Sequence, residues 1–255
     1  MSNRMPVLFV GHGSPMNAVE NNEFTETWRT LAGNISRPSA VLSVSAHWFT
    51  EGERIQTVPR PRQIYDMYGF PQELYDVRFP AEGNPKLAEK VIKLVHTPVS
   101  ADNSWGIDHG TWSVLCRMYP AADIPVVQLS VNRSASLKNQ YELGRELLPL
   151  RDDGILIFAS GNVVHNLGMI DWDKPDGFGW ADSFDGTVKN AVLSGDVQTV
   201  MNAASSGQDA RRAVPTPDHF MPLLYALGAA DGDKPVVFND ARTLGSLSMT
   251  GFIFG

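Results

Sequence analysis

The sequence predicts an α/β fold: a central, mostly parallel but mixed sheet with helices on both faces. Three observations carry this. Short apolar runs rich in Val, Ile and Leu recur at 7–10, 41–46, 124–131 and 155–159, as strands buried on both faces require. Segments with apolar residues at helical spacing lie between them. The last two runs, 234–238 and 246–254, follow one another across a short turn at Asn239-Asp240 and are expected to pair antiparallel at one side of the sheet. No repeat, low-complexity tract or linker interrupts the pattern, so residues 1–255 are expected to form one domain.

The first strand, Val7–Val10, stops at Gly11-His12-Gly13-Ser14-Pro15, a turn sequence. His12 therefore follows the carboxyl end of a strand, the sheet edge at which open α/β folds bind ligands. A helix over 23–31 presents Phe24, Trp28 and Leu31 on one face. The strand Val41–Ala46 runs into His47-Trp48, and 53–58 reads as a further strand. The stretch 58–80 holds Pro59, Pro61, Pro71 and Pro80 among Arg60, Arg62, Arg78, Tyr65, Tyr68, Phe70 and Tyr75. Prolines at that density break regular elements. The stretch is a long ordered loop, either a lid over a site or an excursion packed by its own aromatics.

Residues 84–96 suit a helix with Leu87, Val91, Leu94 and Val95 on one face, and His96 at its end is read as meeting the helix dipole. A helix is expected to begin near His109 or Gly110, followed by a strand to Val131 and a helix over 136–148. The strand from Ile155 leads to Asn162-Val163-Val164-His165. Residues 169–182 read as loop, and helix is expected over 184–193 and on towards Arg212. Asp218 is expected to cap a last helix over 221–227, with His219 in its first turn.

Composition narrows the function. The net charge of −7 argues against nucleic-acid binding. The one cysteine, Cys116, allows no internal disulfide and suits the cytoplasm. No secretory pattern and no membrane-spanning stretch is evident. Gly11 and Gly13 begin a dinucleotide-like pattern, but Met16 stands where a third glycine belongs. Ser14 is not in a nucleophile elbow and reads as a helix cap. Three of the six histidines follow strand ends and a fourth starts a helix. Neutral imidazole is a common ligand for zinc, copper and iron, so a metal site is expected, with Asp108 and Asp218 supplying carboxylates either as ligands or as hydrogen-bond partners of the histidines.

The motifs Gly11-His12-Gly13-Ser14-Pro15, Ser45-Ala46-His47-Trp48, Tyr68-Gly69-Phe70-Pro71, Asp108-His109-Gly110-Thr111-Trp112, Ser160-Gly161-Asn162-Val163-Val164-His165-Asn166 and Pro217-Asp218-His219 occur in this order. Together they resemble the DODA-type extradiol aromatic ring-opening dioxygenases, the LigB-like class III group. The resemblance implies a LigB-like fold and a non-haem Fe2+ site, which Zn2+ can occupy in purified protein. It implies His12, His47 and His219 as metal ligands, and His165 as acid–base catalyst and possible fourth ligand. His109 would line the substrate pocket and share in catalysis. The reaction implied is extradiol cleavage of a catechol by O2, with 4,5-cleavage of L-DOPA or a related catechol expected. Arg60, Arg62 and Tyr68 are candidates to hold a substrate carboxylate. The group's usual triad is two histidines and a carboxylate, whereas this chain offers His219 with Asp218 beside it. An all-histidine site also suits a zinc-dependent hydrolase with His165 as general base. A non-catalytic, partner-binding chain is the third reading. A monomer or small homo-oligomer without nucleic-acid or membrane partners is expected.

Overall fold

Alternation along the strands sorts the core into two layers. In the strand Val7–Gly11 (β1), Val7 and Phe9 enter one apolar cluster, and Leu8 and Val10 enter the other. The strand Ile155–Gly161 divides in the same way, with Ile157 and Ala159 on one face and Leu156 and Phe158 on the other. A period of two between two buried faces is the signature of a sheet covered on both sides. The computed structural model describes residues 4–255.

After β1 come α1 (Glu23–Asn34), β2 (Ala40–Thr50), β3 (Glu53–Ile55), α2 (Gln72–Asp76), α3 (Pro85–Leu94) and β4 (Val99–Ala101). Next are α4 (His109–Met118), β5 (Val126–Asn132), α5 (Leu137–Leu147) and β6 (Ile155–Gly161). The chain closes with α6 (Gly179–Ser194), α7 (Val197–Ala203), α8 (Gly207–Ala213), α9 (Met221–Ala230), β7 (Pro235–Phe238), β8 (Arg242–Thr243), β9 (Leu247–Ser248) and β10 (Gly251–Phe254).

The main sheet has the order β4-β3-β5-β2-β6-β1-β10-β7. Its centre, β5-β2-β6-β1, is parallel; β10 pairs antiparallel with β1, and β7 pairs antiparallel with β10, as the sequence predicts for the last two runs. Helices α1 and α4 cover one face through Trp28 and Trp112, both fully buried. Helices α3, α5, α6 and α9 cover the other. Every residue of α9 is buried, as expected of a helix apolar all round. No helix among the described residues is long and apolar enough to cross a membrane.

Several local expectations need correction. Helix α3 stops at Leu94, so His96 lies beyond it and is exposed; its Nδ1 and backbone N–H meet the Glu146 carboxylate, each at 2.8 Å. Asp218 does not cap α9. That helix starts at Met221 with Phe220 at the cap and Pro222 in its first turn, where a missing N–H costs nothing. His219 therefore precedes the helix. Ser14 does cap a short 3-10 turn over Pro15–Ala18, accepting from Met16 N–H at 3.2 Å.

Candidate functional site

Parallel pairing puts the carboxyl ends of the three central strands side by side. Gly11 of β1 is level with Gly161 of β6, and Ser45 of β2 with Ser160. His12 follows β1 directly. His47 lies inside β2 rather than after it, in the segment where pairing with β5 shifts register between Val44 and Phe49; such an irregularity re-aims side chains. His165 follows β6 by four residues, His109 opens α4 and His219 precedes α9. Five of the six histidines thus meet at one edge of the sheet. The His12 ring centroid is 5.0 Å from His47, 5.3 Å from His219 and 5.8 Å from His109. The rings of His165 and His219 stack at 3.4 Å with planes 3° apart.

Two glycines make this convergence possible. A Cβ on Gly110 would lie 2.7 Å from Ser45 Oγ and 2.8 Å from the His47 ring. A Cβ on Gly161 would overlap the carbonyl oxygen of His219, which instead accepts a hydrogen bond from Asn162 N–H at 2.9 Å.

The hydrogen-bond network assigns the ring protons of His12 and His219. Ser160 Oγ donates to the Gly110 carbonyl at 2.5 Å, so it accepts from His12 Nδ1 at 2.9 Å. That leaves His12 Nε2 as a bare lone pair. The Asp66 Oδ2 carboxylate oxygen lies 3.3 Å from His47 Nδ1 and 3.0 Å from His109 Nδ1, and Oδ1 accepts from His109 N–H at 2.9 Å. His219 Nδ1 donates to Asp218 Oδ2 at 2.5 Å, and its buried Nε2 has no partner. Carboxylates at Nδ1 leave Nε2 free as a donor, the usual outer support of metal-binding histidines. His12 Nε2 and His47 Nε2 then stand 3.1 Å apart.

Electrostatics keep the rings of His12, His47 and His165 neutral. Burial, and then the neighbouring imidazoles, hold His12 and His47 well below the ordinary histidine pKa. Burial, and then His219, push His165 down to about 2, far below the near-neutral value at which a general acid–base group works best. Burial alone would raise Asp218, but the hydrogen bond from His219 brings it down to about 2. Potential ligand atoms of His12, His47 and His109 all lie within 4.8 Å of one another. The site therefore fits a metal ion: the neutral imidazoles of His12 and His47 stand at its centre, with His109 and the unpartnered His219 Nε2 beside them.

Asp108 fastens the site from below. It is fully buried and caps α4. It accepts from Ser45 Oγ at 2.7 Å, Trp105 Nε1 at 3.1 Å, Thr111 N–H at 3.3 Å and Gln128 Nε2. Burial, and then the nearby Asp66, raise its pKa to about 6.

A cavity of about 620 Å³ opens above the histidines, within the size range of small-molecule sites. His12, His47, His109, His165 and His219 line it with Asp66, Tyr68, Phe70, Leu167 and Trp172. Tyr68 stands at its mouth, 91% exposed. Arg60 and Arg62 do not line it. Arg60 is exposed to solvent, and the Arg62 guanidinium is tied to the backbone carbonyls of Ser104 and Trp105, which turns it away. Asp66, Leu167 and Trp172 are absent from the motifs read in the sequence. The carboxylate beside Tyr68 was visible there, but its reach to His47 and His109 depends on the folded loop.

The LigB family, described as the catalytic LigB subunit of aromatic ring-opening dioxygenase, matches residues 6–255. A relative from Escherichia coli K12 named 4,5-DOPA dioxygenase extradiol is 45% identical over 100% of this chain and 96% of its own. A relative of the same name from Beta vulgaris is 34% identical over 97% of this chain and 95% of its own. The crystal structure of an uncharacterized Escherichia coli K12 protein matches with a TM-score of 0.87 and 41% identity, covering 99% of this chain and 100% of that one. The histidine cluster at the sheet edge thus sits in a chain that belongs to the LigB family of aromatic ring-opening dioxygenases.

Proposed function

We propose that this enzyme cleaves a catechol ring beside its diol, using O2 and a bound divalent metal, with L-DOPA or a related catechol as substrate. For L-DOPA the expected product is 4,5-seco-DOPA. One observation carries the reading: His12 Nδ1 and His219 Nδ1 are hydrogen-bonded to Ser160 Oγ and Asp218 Oδ2, and His47 Nδ1 lies 3.3 Å from the Asp66 carboxylate, which turns the three Nε2 atoms towards one another in the pocket. We assign these three as ligands of one Fe2+ per chain, a site Zn2+ can also fill. A carboxylate behind two of the three offsets the lack of a carboxylate ligand. When bound, the ion acts as a Lewis acid on the catechol hydroxyls and as the redox centre for O2.

The chain's own groups do the rest. His165 is neutral and stacked on His219, so its free ring nitrogen can take a phenolic proton and return it later. A catecholate beside it raises its proton affinity through opposite charge. Asp66 anchors the start of α4 by accepting from His109 N–H at 2.9 Å, and its Oδ2 stands 3.0 Å from His109 Nδ1 and 3.3 Å from His47 Nδ1, a negative charge behind both rings. Phe70, Leu167 and Trp172 bound the outer cavity with apolar surface, which limits water at the reacting ring.

The test is oxygen uptake by anaerobically Fe2+-loaded protein given L-DOPA and a panel of simple catechols, with His165→Ala as control. One O2 consumed per catechol, with a new yellow chromophore that the variant fails to produce, is the expected result. No uptake at full iron occupancy would refute the reading and favour a zinc-dependent hydrolase, to be assayed with esters and amides.

A further inference from the structure

Pairing sets Ser45 of β2 beside Ser160 of β6. Register partners share a face of the sheet, and both side chains are fully buried under the first turn of α4. Each hydroxyl stands between a histidine and that turn. Ser160 Oγ accepts from His12 Nδ1 at 2.9 Å and donates to the Gly110 carbonyl at 2.5 Å. Ser45 Oγ accepts from the His47 backbone N–H at 3.3 Å and donates to Asp108 Oδ1 at 2.7 Å. The second link matters because β2 is irregular there. Its pairing with β6 ends at Ser45. Its pairing with β5 passes from Val44 to Phe49, while β5 advances only from Leu129 to Val131. The backbone at 46–48 lies outside both registers, so no ladder sets the aim of His47. Backbone N–H groups away from water need partners, and Ser45 Oγ supplies this one.

We propose that Ser45 and Ser160 are positioning residues for the metal: they tie the histidines of β2 and β1 to the first turn of α4 and so set the 3.1 Å approach of His12 Nε2 to His47 Nε2. The inference rests on the reading of His12 and His47 as ligands and adds what aims them. The two links act differently. Ser160 fixes the ring of His12, because a hydroxyl that gives its proton to a carbonyl can only accept from Nδ1. Ser45 fixes the backbone of His47, and hence the direction of its side chain. The anchor is itself held: Asp108 Oδ1 also accepts from Thr111 N–H at 3.3 Å, and Oδ2 accepts from Trp105 Nε1 at 3.1 Å and from Gln128 Nε2. His109 opens the same helix, so the pocket-lining imidazole and the two ligands share one support. Ser43 gives the contrast. It is fully buried two residues earlier on β2, and its hydroxyl bonds to Thr111 Oγ1 at 2.7 Å rather than to a histidine.

The test uses Co2+, whose visible absorption reports the geometry of its ligands, added to the full chain after chelator treatment. Ser45→Ala and Ser160→Ala are compared with Ser43→Ala, which removes a hydroxyl from the same buried layer. Affinity comes from competition with a chromophoric chelator. It should fall about 10- to 100-fold in Ser45→Ala and in Ser160→Ala, as when metal-binding histidines lose their outer hydrogen-bond support, and the visible bands should shift. Ser43→Ala should lower Tm to a comparable extent yet keep the wild-type affinity and spectrum. Circular dichroism checks the fold of each variant; if one serine variant does not fold, the other decides. Wild-type affinity and spectrum in either folded serine variant, or equal losses in Ser43→Ala, overturns this inference alone and leaves the metal reading standing. No Co2+ binding by the wild-type protein overturns both.

Discussion

The Nε2 atoms of His12 and His47 face each other across 3.1 Å, although each ring is oriented by an oxygen at its Nδ1. With the protons on Nδ1, this contact is two lone pairs in a buried pocket, which repel unless a cation lies between them. Burial and neighbouring imidazoles keep both rings from protonating to relieve it. Metal should therefore stabilise the folded protein strongly. At free metal of about 1,000 times Kd the gain is about 4 kcal/mol, and Tm should rise by roughly 10 °C. Thermal scans of chelator-treated and reloaded protein check this. His12→Ala should abolish the rise, whereas His96→Ala, at an exposed site paired with Glu146, should keep it. Equal Tm with and without metal would contradict the assignment.

Asp66 stands behind both His47 and His109. Asp66→Asn preserves size but removes the charge that keeps Nδ1 protonated. Metal affinity should fall about 10- to 100-fold, measured by competition with a chromophoric chelator, with a parallel loss of ring-cleavage activity. Circular dichroism should stay unchanged, because Asp66 lies on a loop outside the sheet. Unaltered metal affinity would reduce Asp66 to an anchor for the loop.

Gly161 tests the route by which strand packing sets ligand geometry. Gly161→Ala places a methyl against the His219 carbonyl, so the segment before α9 must move. Overpacking of this kind costs about 1–3 kcal/mol. The protein should fold with a lowered Tm, and its bound metal per chain should fall more than its helix content. Full metal occupancy at normal affinity would show that His219 is not a required ligand.

What was legible in the sequence and what was not divides along the range of the interactions. β1 and β6 are apolar runs stopped by glycine turns, so both the strands and the positions of His12 and His165 at one edge follow from local pattern. β7 and β10 do pair antiparallel as their apolar runs suggest, but residues 239–250 between them hold the small β8–β9 pair instead of a short turn. The edge strand β4 has three residues, one half-buried and two exposed, and carries no pattern to read. The register shift that aims His47 lies in pairing with a strand some 80 residues away. Asp66 reaches the site because its loop is pinned to the start of α4: Trp112 Nε1 donates to the Ile64 carbonyl at 2.8 Å, and Gln63 bridges to Ile107. The same long-range contacts turn Arg62 to the 104–105 backbone and away from the cavity, which composition alone could not foretell.

Glu53 gives a prediction away from the active site. Its side chain is buried at the start of β3 and faces Tyr225 Oη of α9 at 3.3 Å. Burial is the dominant effect and raises its pKa from 4.5 to about 7. The folded protein therefore holds this proton where the unfolded chain has released it. Stability from this group is full below pH 4.5, falls as pH rises towards 7, and is flat above. The total is about 3 kcal/mol at 1.36 kcal/mol per pH unit. The buried histidines work in the opposite direction: His12 and His47 are lowered, so their contribution is lost as pH falls below 6.5. A wild-type profile alone would mix the two. The difference between Glu53→Gln and wild type isolates the carboxyl. In urea titrations at a series of pH values the variant's advantage should grow from pH 4.5 to 7 and then hold constant. A difference that is independent of pH would mean that Glu53 ionises in the fold as freely as in the unfolded chain.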